Sequence, residues 1–248
     1  MVTLSKIQLS DFEEFDIENE VSVNYNSFIY INDEIRNANI DKLIIGIDIT
    51  SSFYIQEKIM NGNEKIVASI QLPTGLKIKN SLNQKSLKDK NILMYKSDIN
   101  DTVYCLCKIN VPNEYVHQVV EQIFSVLKNN CEIIVLSRLS INCYLQRDSS
   151  DVFPIIRSLS VCEIANSNIR LLEPPNLLVG LSARILTYCA SRNLNGIVYV
   201  SYSQSIYGSD IDRSVFECFD EAIRFHGINL NLECSRNHLN LNDNFLFV

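Results

Sequence analysis

In this 248-residue chain, residue type and spacing come nearest to chemistry at Gly180-Leu181-Ser182. The apolar run Leu177-Leu178-Val179 predicts a strand, and Ser182 opens a stretch with helical spacing. A strand, a Gly-x-Ser turn and a helix have the layout of a nucleophile elbow, which lifts a serine hydroxyl out of the backbone for acyl transfer. Acids and histidines follow in a suitable order, Asp212, Asp220, His226 and His238. Against this stands Arg184, where the packing of an elbow needs a small residue two beyond the serine. Ser182 also suits a helix N-cap, which needs no catalysis. Gly180 at a helix start could hold an anion on free backbone N–H groups, but with no second glycine and no lysine it is not a phosphate loop.

Other candidates are thinner. Cys105-x-Cys107 puts two thiols on one face of a strand, yet no further Cys or His pair is spaced to complete a zinc site. His117 borders an apolar stripe and reads as a shoulder residue. Asp48 and Asp212 have no recognisable carboxylate partner. The expectation is no catalytic residue, no metal and no cofactor.

The chain end offers recognition instead. Phe245-Leu246-Phe247-Val248 is wholly apolar and follows the polar run Ser235 to Asn244, which cannot build a core. A greasy end on a solvated tether either folds back as a last strand or enters a pocket on another protein, where a lysine can grip the terminal carboxylate. Phe245, Leu246, Phe247 and Val248 are the expected partner-binding residues.

These segments must be positioned by a scaffold. Ser27 to Ile31, Leu43 to Ile47, Ile66 to Leu72, Thr102 to Ile109, Glu132 to Leu136 and Ile197 to Val200 read as strands. Val116, Val119, Val120, Ile123, Phe124 and Leu127 mark a helix with Pro112 in its first turn. A second helix covers Ser182 to Arg192. A third carries Val215, Phe216, Phe219, Ala222 and Ile223, with Asp212 placed to cap it and Gly227 to end it. Ile228, Leu230 and Leu232 alternate with polar residues as in a half-buried strand. Residues 77–90, rich in Lys and Asn, read as a surface loop. The whole predicts one α/β domain, a mixed or largely parallel sheet flanked by helices, over residues 21–234. An acidic, mobile arm precedes it at 1–20, and a flexible polar tether with the docking tail follows at 235–248.

Composition narrows the function. A formal charge of −7, with no stripe of Lys and Arg, disfavours nucleic acid, whose phosphates need such a stripe. No apolar run is long enough for a bilayer, so no membrane partner is expected. Of eight cysteines, Cys105, Cys107, Cys131, Cys162, Cys189 and Cys218 lie in or beside apolar segments as small hydrophobes. With no signal peptide at the N-terminus, a reduced, cytoplasmic protein is expected, with the nucleus also open.

The stretch Glu173-Pro174-Pro175-Asn176-Leu177-Leu178-Val179-Gly180-Leu181-Ser182-Ala183-Arg184-Ile185-Leu186-Thr187-Tyr188-Cys189 resembles the best-marked segment of the proteasome assembly chaperone 1 family. There a Pro-Pro-Asn turn leads to Gly-Leu, a helix ending Leu-x-Tyr-Cys, and a strand, here Gly196 to Ser201. The likeness is specific over about residues 170–205 and architectural before them. The tail also fits the family pattern, with Phe247 where a tyrosine is usual. The resemblance implies a non-catalytic chaperone that pairs with proteasome assembly chaperone 2 as a heterodimer. It would promote assembly of the α-ring of the proteasome core particle, with its C-terminus docked in a pocket between α-ring subunits. The alternative is an α/β serine hydrolase or a nucleoside-phosphorylase-like enzyme using the Gly180–Ser182 turn.

Overall fold

Leu43-Ile44-Ile45 and Ile133-Ile134-Val135-Leu136 are apolar at every position, a pattern that suits strands covered on both faces. The computed structural model describes residues 28–31, 35, 39–72, 91–127, 131–145, 152–162, 168–204 and 211–230. In it both runs are central strands, β2 (Lys42–Gly46) and β6 (Glu132–Ser140), paired in parallel. The other strands are β1 (Phe28–Ile31), β3 (Lys65–Gln71), β4 (Asn91–Lys96), β5 (Thr102–Leu106), β7 (Ile155–Ser160) and β8 (Gly196–Ser203). They form one eight-stranded sheet in the order β1-β3-β4-β5-β2-β6-β8-β7. Its centre, β5-β2-β6-β8, is parallel. β4, β3 and β1 extend it antiparallel on one side and β7 on the other.

Because side chains alternate along a strand, the central strands feed two cores. Leu43, Ile45, Val103, Cys105, Ile133, Val135, Val198 and Val200 face helices α2 (Asn113–Ser125) and α3 (Gly180–Arg192). Ile44, Tyr104, Leu106, Ile134, Leu136, Ile197 and Tyr199 face α1 (Ile49–Tyr54) and α4 (Phe216–Phe225). The result is the expected α/β architecture, a mixed sheet between helices. Tyr54 of α1 packs against Phe216 and Phe219 of α4, each pair of ring centroids 5.3 Å apart. Phe124 stacks on Tyr188 at 4.3 Å and joins α2 to α3. At Gly196 a Cβ would lie 2.7 Å from Cys189 Sγ, so α3 reaches the start of β8 only over a glycine.

Several expectations need correction. Residues 177–179 are in no strand, so the elbow's strand is not formed there. Of the predicted strand through Ile228, Leu230 and Leu232, residues 228–230 form no ladder, although Ile228 and Leu230 pack on the second core, and Leu232 lies outside the described residues. Pro112 is the N-cap of α2 and not a residue of its first turn. Cys162 is exposed, whereas Cys105, Cys107, Cys131 and Cys189 are buried free thiols. The structure also has elements the sequence reading lacks: β4, β7, and α1 with its π-helical continuation Ile55–Ile59. The arm 1–20, the loop 77–90, the tether and the tail residues Phe245 to Val248 lie outside the described residues.

Candidate functional site

The carboxyl ends of the parallel strands hold the polar groups that the sequence singled out. Gly46 ends β2 directly beneath α1: a Cβ there would lie 2.7 Å from Ser52 N and 2.8 Å from Ser52 Cα, and Ser52 Oγ donates to the Gly46 carbonyl at 3.0 Å. Only glycine lets the helix sit so close. Asp48 then caps α1 through a reciprocal box, accepting from Ser51 N at 2.9 Å while its own N–H donates to Ser51 Oγ at 3.1 Å. Its other carboxylate oxygen accepts from Arg138 N at 2.7 Å and from Ser51 Oγ at 2.9 Å. Burial pushes the Asp48 carboxyl up, opposed by these bonds from Ser51 and Arg138.

Arg138 extends the cluster to β8 and α4. Its Nε donates to Ser203 Oγ at 3.0 Å and lies 3.5 Å from Asp212 Oδ2. Asp212 N donates to Thr50 Oγ1 at 3.1 Å, and Asp212 Oδ1 accepts from Ser214 N at 3.1 Å, capping the 3₁₀ turn Arg213–Val215 that leads into α4. Asp212 thus caps the 3₁₀ turn and not α4 itself, whose N-cap is Val215. Neither Asp48 nor Asp212 faces a carboxylate; their partners are serines, backbone amides and Arg138, and this is the arrangement of a structural clamp.

Beside the clamp lies a cavity of about 490 Å³, bordered by Ile47, Asp48, Lys108, Arg138, Gly180 and Ser182 among others. Gly180 has φ 65°, the left-handed region that favours glycine. Val179, with extended backbone, is the N-cap of α3 and provides no side-chain cap. Ser182 is therefore the third residue of the helix and not its cap. It is 3% exposed and borders the cavity.

The described candidates for a triad, Asp220 and His226, do not meet Ser182. His226 is at the other end of the sheet, its Nδ1 donating to Glu132 Oε1 at 2.6 Å at the start of β6. From Glu132 to the cavity-lining Ser137 and Arg138, β6 rises about 3.3 Å per residue, or roughly 20 Å in all. Asp220 instead accepts from Tyr54 OH at 2.9 Å. No histidine is among the described residues lining the cavity. Among the described residues no histidine stands beside Ser182, and His238 lies outside them.

The Pro-Pro-Asn segment is held by its own network. Residues 170–172 run along the outer edge of β7: Ser158 N donates to Arg170 O at 2.9 Å and Leu172 N to Ser158 O at 2.8 Å. Glu173 receives Arg157 Nε at 3.1 Å and the Tyr144 hydroxyl, which also accepts from Arg157 Nη2 at 2.8 Å. Burial opposes ionisation of Glu173, but the Tyr144 hydroxyl, its own backbone and Arg157 outweigh it and hold the carboxyl below the usual range. After the cis Pro174–Pro175 bond, Asn176 Oδ1 accepts from Leu145 N at 2.7 Å and Asn176 Nδ2 donates to Glu173 O at 3.0 Å. This turn presents apolar side chains outward: Leu177 is 72% exposed and Val179 61%. Such side chains on a rigid turn are suited to contact another protein.

Arg184 faces neither the core nor Ser182. Its Nη2 lies 2.7 Å from Nδ1 of the exposed His117, linking α3 to α2. Cys105 and Cys107 are buried in the first core, and no group of three or more His, Cys, Asp or Glu suited to a metal occurs among the described residues. No helix among them is long and apolar enough to cross a membrane.

The PAC1 family model, described as Proteasome assembly chaperone 4, matches residues 12–242. Proteasome assembly chaperone 1 of Nematostella vectensis is 21% identical over 184 residues, 71% of this chain and 70% of that protein. Its Xenopus laevis namesake is 28% identical over 114 residues, 44% of this chain and 40% of that one. Among solved structures, Pyrococcus furiosus PbaA, an archaeal homolog of proteasome-assembly chaperone, superposes with a TM-score of 0.56 at 15% identity, covering 84% of this chain and 89% of that one. P. furiosus PbaB, an archaeal proteasome activator, gives 0.56 at 13% identity, over 84% and 92%. The two archaeal structures share the fold, and the family match spans nearly the whole sequence. The chain belongs to the proteasome assembly chaperone family.

Proposed function

We propose that this protein is a non-catalytic chaperone of proteasome core-particle assembly. It pairs with a proteasome assembly chaperone 2 subunit, and the pair sits on the α-ring with the tail Phe245-Leu246-Phe247-Val248 in a pocket between ring subunits. It works in the cytoplasm, with the nucleus a second place of action. The observation that carries this reading is the family match over residues 12–242. The exposed Leu177 and Val179 on the braced Pro-Pro-Asn turn support a role in contact, and the separation of Ser182 from His226 gives the hydrolase alternative no support from that histidine.

The tail needs the body to be useful. Burying Phe247 and Leu246 stabilises by about 1.5–3 kcal/mol each. Ordering four terminal residues costs about 1–2 kcal/mol per residue, which nearly cancels that gain. Affinity therefore comes from a body already seated on the ring, which holds the tail near its pocket at high effective concentration. The ten residues Ser235 to Asn244 span at most about 33 Å, ample for a neighbouring groove. Phe247 in place of the usual tyrosine forgoes one phenol hydrogen bond, about 0.5–1.5 kcal/mol.

Co-purification of the tagged full-length chain tests this reading. The expected companions are α-ring subunits and a second chaperone of the same family. Recovery of the chain alone from cells that contain immature proteasomes would contradict it.

A further inference from the structure

The Pro-Pro-Asn turn carries more apolar surface than the fold buries. Of the nine large apolar side chains exposed among the described residues, four belong to this corner: Leu177, Val179, and Leu145 and Leu171 at 64% each. Hydrogen bonds bring their segments together. Asn176 Oδ1 accepts from Leu145 N at 2.7 Å, and Glu173, next after residues 170–172, accepts from Tyr144 and Arg157. Leu178 packs on the first core, so Leu177 and Val179 on either side of it turn away from that core. Pro174 and Pro175 are exposed between Leu171 and Leu177. These six residues present on the order of 500 Å² of apolar surface. The largest patch on a typical monomer is about 300–600 Å², and such patches are often functional.

The corner's composition indicates what kind of contact it makes. Behind the turn, Arg157 and Glu173 are paired with each other and with Tyr144, and Arg170 is exposed beside Leu171 as a basic rim. Lasting interfaces have centres of this kind, apolar and depleted of charge, whereas contacts that must separate again are about as polar as the rest of the surface. Leu171 adds a directional element. Its parallel pairing with Ser158 runs through Arg170 O and Leu172 N, so the N–H and C=O of Leu171 itself point away from β7. They are placed to meet an extended segment of a partner.

We propose that this corner is the face on which the second chaperone subunit is seated. The inference rests on the pairing proposed above and adds its location and chemistry. A stable complex covers about 800 Å² on each partner, and the six residues supply more than half of that. The surface that fits them has an apolar centre and an acidic rim facing Arg170. A second copy of this chain fits less well, because each copy carries a formal charge of −7 and the two repel. The α-ring is the product that an assembly chaperone leaves behind, so its contact is of the separable kind. A corner this apolar, left bare after each cycle, would invite aggregation.

The tagged full-length chain, co-expressed with the second chaperone, provides the test. Leu177→Asp combined with Val179→Asp, and separately Leu171→Asp, put charge into the apolar centre. Each should lower affinity for the partner about tenfold or more, with the melting temperature of the variant chain alone unchanged. Leu177→Ser with Val179→Ser is the milder pair and should show the same loss if a charge disturbs the fold. Ile99→Asp, at a residue 74% exposed in the β4–β5 turn, should keep the partner. So should a chain lacking residues 246–248, which separates this face from the docking tail. If the wild type retains the second chaperone and the corner variants retain it equally, this location is overturned and the pairing stands. A wild-type chain that captures no second chaperone overturns both. Variants that keep the partner but lose α-ring subunits, or that break a dimer of the chain with itself, assign the corner to those occupants and overturn the proposal too.

Discussion

The two ends of the parallel strands are built on opposite plans. At the amino end, His226 closes a network: Nδ1 donates to Glu132, Nε2 lies 2.9 Å from Tyr199 OH, and the backbone oxygen of His226 accepts from Lys42 Nζ at 2.6 Å. Lys42 also lies 3.4 Å from Glu132. Each of these polar groups has a partner within the chain, and α4 is tied to the starts of β2 and β6. At the carboxyl end, Asp48, Arg138 and Asp212 are equally well paired, yet a cavity of about 490 Å³ remains beside them, bordered by a helix start without a side-chain cap. Closed networks give rigidity, and a concave place at the ends of parallel strands leaves room for contact. The amino end therefore reads as scaffold and the carboxyl end as the side that meets other molecules.

Substitutions can break this contrast, beginning with the largest effect. Gly46→Ala forces a Cβ to within 2.8 Å of α1 backbone atoms that cannot yield separately, so a loss of about 3 kcal/mol in urea unfolding is expected. Next comes Glu132→Gln, which removes charge-assisted bonds to His226 and Lys42 and should cost about 2 kcal/mol at neutral pH. The hydrogen bond from His226, then its charge and that of Lys42, hold the Glu132 carboxyl below its usual range against burial. Its contribution is therefore full above the unfolded carboxylate value of about 4.3 and fades as pH falls through the lower folded value. The gap between wild type and Glu132→Gln should close below about pH 4 in the same unfolding experiment.

Asn176→Ala tests the contact side differently. It leaves the Leu145 amide without its acceptor and should cost about 1–2 kcal/mol, with faster hydrogen exchange over residues 171–179. Ser182→Ala should be the mildest, changing stability by less than about 0.5 kcal/mol, because Val179 and not Ser182 holds the N-cap position of α3. A loss above about 1 kcal/mol would instead mean that the hydroxyl serves as a cap or core bond, and the contrast between the two ends would fail.

The contrast was only partly legible in the sequence. α2, α3 and α4 announce themselves because Val116 to Phe124, Leu181 to Cys189 and Phe216 to Ile223 recur at helical spacing, and β2 and β6 because they are apolar throughout. α1 escaped because Ile49-Thr50-Ser51-Ser52 are weak helix formers; its stability comes from the Asp48 capping box and from Tyr54 packing on α4. β7 was hidden by Arg157, a charge in mid-strand that is 6% exposed and acceptable only because Glu173 and Tyr144 receive it from a distant part of the chain. The false strands at 177–179 and 228–230 have the opposite cause: apolar residues with no neighbouring strand to pair with. Of the candidate site, Gly180 and Ser182 stood out by motif. The cavity did not, because it is made by three strand ends that only the sheet order brings together.

The assembly role rests most directly on whether the body and tail act together on the proteasome ring. The decisive measurement compares retention of α-ring subunits by the full-length chain and by a chain ending at Phe245, each with its partner chaperone present. The account predicts that the shortened chain keeps its thermal stability and its partner but loses about tenfold or more in ring affinity. Undiminished ring binding by the shortened chain would contradict it.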